Sequence, residues 1–221
     1  MALPTVETET AAHPTHSVIW LHGLGADGND FAPIVPELVS PSWPALRFVF
    51  PHAPVRPVTV NGGMPMRAWY DIAGVDLVSR QDEAGIRASI ASVETLIARE
   101  NERGVPTSRI LLAGFSQGGA IALAAGLRHA DRLAGIMALS TYLPLHESFE
   151  TERNPANAHT PIFWGHGTAD PIVPLTRGVA SRDLLQSLGY AVAWHTYPMP
   201  HSVCGEEVLD LRQWMTARLA A

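Results

Sequence analysis

Three observations predict an α/β fold class, a mostly parallel central sheet with helices on both faces. Short β-rich runs alternate with longer helical patterns along the chain. Several of the short runs are nearly continuous apolar stretches, as befits parallel strands covered on both sides. The chain has 221 residues, 47% of them hydrophobic and 16% charged, which suits one globular domain with one core.

The strand candidates are residues 17–21, 46–51, 109–113, 135–139, 161–165 and 191–197. Among the helical segments, 81–103 has a clear stripe: Ile86, Ile90, Val93 and Ile97 recur at spacings of four, three and four. Gly104 sits just past its end, where a left-handed cap is wanted. Further helices are expected at 117–128, 175–188 and 206–219. This alternation implies right-handed crossovers, and in such sheets ligands sit beyond the carboxyl ends of the strands. Residues 16–221 are expected to form the single domain, preceded by a flexible arm over 1–15. That arm carries no Lys or Arg and no apolar segment, so it does not read as a signal peptide.

The formal charge is −6, from 15 Lys and Arg against 21 Asp and Glu, without a basic block. Nucleic acid is therefore not an expected partner. No apolar run approaches the ~18 residues needed to cross a bilayer, so stable membrane insertion is not expected either. The single cysteine, Cys204, excludes an intramolecular disulfide and fits a reducing, cytoplasmic compartment.

The chemistry is carried by the junction after strand 109–113, where Gly114-Phe115-Ser116-Gln117-Gly118 leads into an Ala-rich helical run. This is G-x-S-x-G in a strand-to-helix turn, the setting of a strained nucleophile in an α/β-hydrolase fold. The glycines keep larger side chains from colliding across the turn, and the helix points its positive end at an oxyanion forming there. A serine that merely caps the helix is the plainer reading of the bare pattern.

A serine nucleophile needs a base, and the base needs a partner that fixes its tautomer. In this fold the acid and then the histidine follow the serine, on loops after later strands. Asp170 follows strand 161–165 and His201 follows strand 191–197, so Ser116, Asp170 and His201 are the candidate triad. Asp131 precedes a strand, Asp183 falls inside a helix, His195 lies within a strand, and His166 comes before the acid. None of these fits as well.

Two backbone amides should face the developing oxyanion, one after the nucleophile and one from the loop His22-Gly23-Leu24-Gly25. Gln117 and Leu24 are assigned to them. The same stretch spells G-x-G-x-x-G through Gly23, Gly25 and Gly28, a dinucleotide fingerprint. That reading requires an acidic residue at the end of the next strand, and Leu46-Arg47-Phe48-Val49-Phe50-Pro51 has none.

The runs LHGLGADGNDF, MRAWYDI, GFSQGGA, ALSTYLPL, HGTADPIVP and PHSVC, in this order, resemble the phospholipase/carboxylesterase family, which includes acyl-protein thioesterases. The resemblance extends from about Ser17 to the C-terminus. It implies the α/β-hydrolase fold, the triad and oxyanion residues named above, and hydrolysis of carboxylic esters; the triad mechanism itself calls for no metal or cofactor. The implied substrate is a small-molecule or acylated-protein ester. Some members of the family cleave thioesters or lysophospholipids, and homodimers occur in it.

Only about twenty residues separate Leu139 from the strand at 161, too few for a large lid domain, so an open site is expected. Residues 52–78 hold Met64, Met66, Trp69 and Tyr70, soft and aromatic side chains that suit an acyl-binding wall. Core packing is the alternative for Trp69 and Tyr70. The run from Tyr142 to Leu145 either lines an acyl groove or packs over the sheet edge. Trp69 and Leu143 are the candidate substrate-binding residues.

Overall fold

The computed structural model describes residues 3–74 and 81–219. In chain order it comprises β1 (Thr5–Glu9), β2 (His16–Leu21), the short α1 (Val35–Leu38), β3 (Leu46–Pro51), β4 (Val55–Val58), β5 (Met64–Arg67) and α2 (Glu83–Glu102). Then follow β6 (Ile110–Phe115), α3 (Gln117–Gly126), β7 (Gly135–Leu139), α4 (His146–Glu152), β8 (Ile162–Gly167), α5 (Leu175–Ser187), β9 (Val192–Tyr197) and α6 (Gly205–Leu219). Seven strands form the main sheet in the order β1-β3-β2-β6-β7-β8-β9, and β4 and β5 make a separate hairpin. From β3 to β9 every neighbouring pair is parallel.

Strand alternation explains why the central runs read as continuously apolar. In β2, Ile19 and Leu21 face one hydrophobic cluster while Val18 and Trp20 face another; in β6, Leu112 and Leu111 divide in the same way. The first cluster is covered by α2, α3 and α5 through residues such as Ile86, Val93, Ile121 and Leu185. The second is covered by α1 and α6 through Val35, Leu38, Leu211 and Met215. Helix α3 lies buried along its whole length, which is why its sequence is so rich in Ala and Gly. Gly104 has φ +91°, the left-handed conformation expected past the end of α2.

The flexible arm expected over 1–15 is corrected. Thr5–Glu9 is β1, paired antiparallel with β3 so that Thr5 faces Pro51 and Glu9 faces Arg47. Its sequence, TVETE, carries charge rather than an apolar pattern; besides the β3 ladder and Val6 packed on the second cluster, its glutamates make ion pairs. Glu7 pairs with Arg99 at 2.8 Å and Arg103 at 3.0 Å on α2, and Glu9 pairs with Arg47 at 2.8 Å. These arginines converge on Glu100, which has no exposed surface. Arg47 donates to its Oε2 at 2.9 Å, Ser17 on β2 to the same oxygen at 2.7 Å, and Arg103 to Oε1 at 3.0 Å. One buried carboxylate thus ties α2 to β2 and β3.

Removing that carboxylate leaves Arg47, itself buried, without its inner partner. Glu100→Ala is expected to lower unfolding stability by about 3–5 kcal/mol in urea titration, the usual result of breaking one side of a buried pair. A loss below about 1 kcal/mol would show that the network is only a surface arrangement.

Candidate active site

The carboxyl ends of β2, β6, β8 and β9 converge on Ser116. This residue connects β6 to α3 with φ 54° and ψ −121°, a conformation costing on the order of 1–3 kcal/mol for a non-glycine residue. Surrounding bonds hold it there. The Ser116 amide donates to the Leu139 carbonyl at 2.8 Å, and the Thr141 hydroxyl donates to the Ser116 carbonyl at 2.7 Å. The glycines of the motif are sterically required. A Cβ on Gly114 would lie 2.3 Å from the Gly118 carbonyl, and one on Gly118 would lie 2.3 Å from the Leu21 carbonyl oxygen.

Asp170, in the loop between β8 and α5, has a fully buried side chain. Its Oδ1 accepts the amides of Ile172 at 2.8 Å and Val173 at 2.9 Å, which fixes the carboxylate plane. Its Oδ2 accepts from His201 Nδ1 at 2.7 Å. A carboxylate only accepts, so the His201 proton resides on Nδ1 and Nε2 is free to accept from the Ser116 hydroxyl, 2.8 Å away. The two loops are pressed together at Gly167, where a Cβ would stand 2.4 Å from the carbonyl oxygens of Met199 and Pro200. The Phe115 ring packs against the His201 imidazole with centroids 4.6 Å apart.

Gln117 is the first residue of α3, so its amide has no acceptor within the helix. Leu24 lies in a turn after β2, closed by the Ala26 amide donating to the Gly23 carbonyl at 3.3 Å. That turn passes beside the nucleophile: a Cβ on Gly23 would be 3.6 Å from Ser116 Cβ. Gly25 has φ +78°, and its amide donates to the Arg67 carbonyl on β5 at 2.9 Å.

A family model described as phospholipase/carboxylesterase matches residues 3–219. The chain belongs to the phospholipase/carboxylesterase family. It is 43% identical to acyl-protein thioesterase 1 of Neurospora crassa, across 98% of this chain and 92% of that protein. It is 40% identical to acyl-protein thioesterase 1 of Cryptococcus neoformans, across 93% of each chain. The crystal structure of Zea mays acyl-protein thioesterase 2 superposes with a TM-score of 0.82 at 30% identity, covering 97% of this chain and 99% of that one. The fold is the α/β-hydrolase fold, and the chain is an ester-hydrolysing serine hydrolase.

The other residues that the sequence singles out lie as follows in the structure. Trp69 is corrected as a substrate-binding residue: it is wholly buried and its indole donates to the His22 carbonyl at 2.9 Å. Tyr70 is also buried, its hydroxyl 2.8 Å from that of Tyr142; burial raises both phenols, Tyr142 to about 12. Leu143 is 3% exposed and borders a small cavity of about 100 Å³ with Tyr142, His146 and Ser181. Met64 is exposed on β5, and the part of the 52–78 segment beyond Gly74 lies outside the described residues. His166 is fully buried and kept below the usual histidine range by that burial, its Nε2 bonded to the Val173 carbonyl at 2.9 Å. Gly28, the third glycine of the dinucleotide pattern, is a packing position, where a Cβ would meet the Phe50 carbonyl oxygen at 2.4 Å.

Sequence reasoning missed two buried side chains, the first of them beside the nucleophile. Beyond the amide that the sequence assigns to the oxyanion, the Gln117 side chain accepts from the Trp69 amide and donates to the Tyr70 carbonyl, both at 2.8 Å. Glu207 on α6 is buried behind Gly165, and neither carboxyl oxygen completes a hydrogen bond. A charged Glu three residues into a helix resembles an ordinary cap, so nothing in the sequence marks its burial. That burial pushes its pKa up to about 8, with Asp210 adding to the rise and the Cys204 amide offsetting part of it.

Folded Glu207 therefore keeps a proton that the unfolded chain releases above about pH 4.5, so its contribution to stability is lost as pH rises towards 8. Glu207→Gln, which cannot ionise, is expected to gain stability relative to the wild type across that window, by a few kcal/mol in all. Urea unfolding of both proteins at pH 5, 6.5 and 8 measures it. A difference independent of pH would mean that the carboxyl is not protonated in the folded state.

Proposed function

We propose that the chain removes acyl groups from oxygen and sulfur esters through a covalent acyl-enzyme on Ser116, with acylated proteins as the substrate class. The relay of two short hydrogen bonds, Asp170 to His201 to Ser116, carries this reading. In the mechanism, the Ser116 oxygen attacks the acyl carbonyl carbon as its proton passes to His201 Nε2. Asp170 stabilises the imidazolium through Nδ1. The Leu24 and Gln117 amides stabilise the tetrahedral oxyanion, each donor being worth roughly 3–4 kcal/mol in the transition state. Collapse expels the alcohol or thiol, which takes the proton from His201. Water then adds to the acyl carbonyl as its proton passes to His201; collapse breaks the bond to the Ser116 oxygen, which takes that proton back, and the carboxylic acid leaves.

The protein-bound substrate is supported by the absence of a large lid among the described residues. Between β7 and β8 there are only α4 and a 3-10 turn at Pro155–Asn157. An acyl group displayed on a large carrier could then reach Ser116. The names of the fungal relatives, acyl-protein thioesterase 1, agree with this.

Hydrolysis of p-nitrophenyl esters from acetyl to dodecanoyl, and of an S-acylated peptide, tests the proposal in the wild type and Ser116→Ala. The alanine variant is expected to lose at least about 10⁴ in kcat, as when other serine nucleophiles are removed. Retention of activity within tenfold would overturn Ser116 as nucleophile. If the wild type cleaves the nitrophenyl esters but not the peptide, the acyl-protein assignment fails and the esterase remains.

A further inference from the structure

We propose that His22 is a positioning residue that aims the Leu24 amide at the oxyanion, acting through the Gly23–Leu24 peptide; this rests on the reading of Leu24 as an oxyanion donor. The His22 ring is 1% exposed and is occupied by backbone groups at both nitrogens. The Ala53 amide lies 3.0 Å from Nε2, and the Gly23 carbonyl oxygen lies 2.7 Å from Nδ1. An amide only donates and a carbonyl only accepts. The ring is therefore neutral with its proton on Nδ1, and burial holds it below the usual histidine range.

The consequence lies in the peptide plane. In a trans peptide the carbonyl and the following N–H point in opposite directions. Turning the Gly23 carbonyl towards His22 turns the Leu24 N–H away from the ring, and the side chain of Ser116 lies beside this same turn, 3.6 Å from a Cβ placed on Gly23.

A clamp is needed at this point. This peptide turns about the ψ of Gly23, which has no Cβ to resist rotation, and its carbonyl takes a longer bond, 3.3 Å, from the Ala26 amide beside the 2.7 Å contact with His22. The clamp is itself anchored: Arg67 Nη1 donates to the Ala53 carbonyl at 2.8 Å, and the Trp69 ring lies 5.3 Å from the His22 ring. The run Arg67, Ala53, His22, Gly23 thus leads from β5 into the oxyanion loop.

Two substitutions separate the contacts. His22→Asn keeps a donor where Nδ1 stood, whereas His22→Gln keeps only an acceptor for the Ala53 amide. Kinetics on a p-nitrophenyl ester are measured after normalising to sites titrated by a fluorophosphonate, together with the affinity for a trifluoromethyl ketone that forms a tetrahedral adduct. The Gln variant is expected to lose roughly 30- to 100-fold in kcat with KM within threefold, below the 10²–10³ cost of losing a donor outright. Its ketone affinity should fall in parallel, and the Asn variant should stay within fivefold of the wild type.

A Gln variant within threefold in kcat, or both variants falling together, would overturn the role of His22. A wild type that forms no adduct with the ketone on Ser116 would instead overturn the underlying reading of the site. Should the Gln variant not fold, the ¹⁵N resonances of His22 in the wild type decide. The Nδ1–H tautomer at pH 7 supports the proposal, and the Nε2–H tautomer or the imidazolium refutes it.

Discussion

Backbone against backbone, with no side chain between, is the constraint on which this molecule is built. Gly114 meets Gly118 across the nucleophile turn, and Gly118 meets the carbonyls of Leu21 and His22 at the end of β2, each too closely to admit a Cβ. That contact brings α3 down onto the sheet. It forces Ser116 into a positive φ and sets the β2 turn beside it. The buried, Ala-rich length of α3 follows from the same closeness, since larger residues would lift the helix and open the turn. The strain at Ser116 is sustained because Leu139 and Thr141 bind its two backbone polar groups.

Around that turn, three histidines are each fixed in one state by their partners. His201 is oriented by a buried carboxylate that is itself held by two amides. His166 is spent on the Val173 carbonyl, in the same loop that presents Asp170. His22 sits between the Ala53 amide and the Gly23 carbonyl. Their surroundings decide their use: only His201 has its second nitrogen on the nucleophile, whereas backbone groups occupy both nitrogens of His22 and the Nε2 of His166.

The sheet, its flanking helices and the spatial order of Ser116, Asp170 and His201 were legible in the sequence, because each leaves a local signal. Buried parallel strands are short and apolar, the nucleophile turn demands glycines at fixed offsets, and acid and base follow strand ends. What was not legible depends on partners distant in sequence. The polar TVETE run pairs with β3, lays Val6 against the second cluster and sets its glutamates beside arginines on α2 and β3, partners that lie far along the chain. Trp69 is wholly buried because its indole and amide find His22 and Gln117, neither of which its own neighbourhood announces. The burial of Glu207 against Gly165 belongs to the same class.

The central claim is that an acyl group passes through the oxygen of one serine. Mixing the wild type with a slowly deacylating p-nitrophenyl ester, quenching in acid within the burst, and sequencing the proteolytic peptides by mass spectrometry tests it directly. A single acyl mass on Ser116, formed in stoichiometric amount and decaying at the rate of turnover, is the expected result. A burst without an adduct on Ser116, or the acyl group on Cys204 or a histidine, would contradict it.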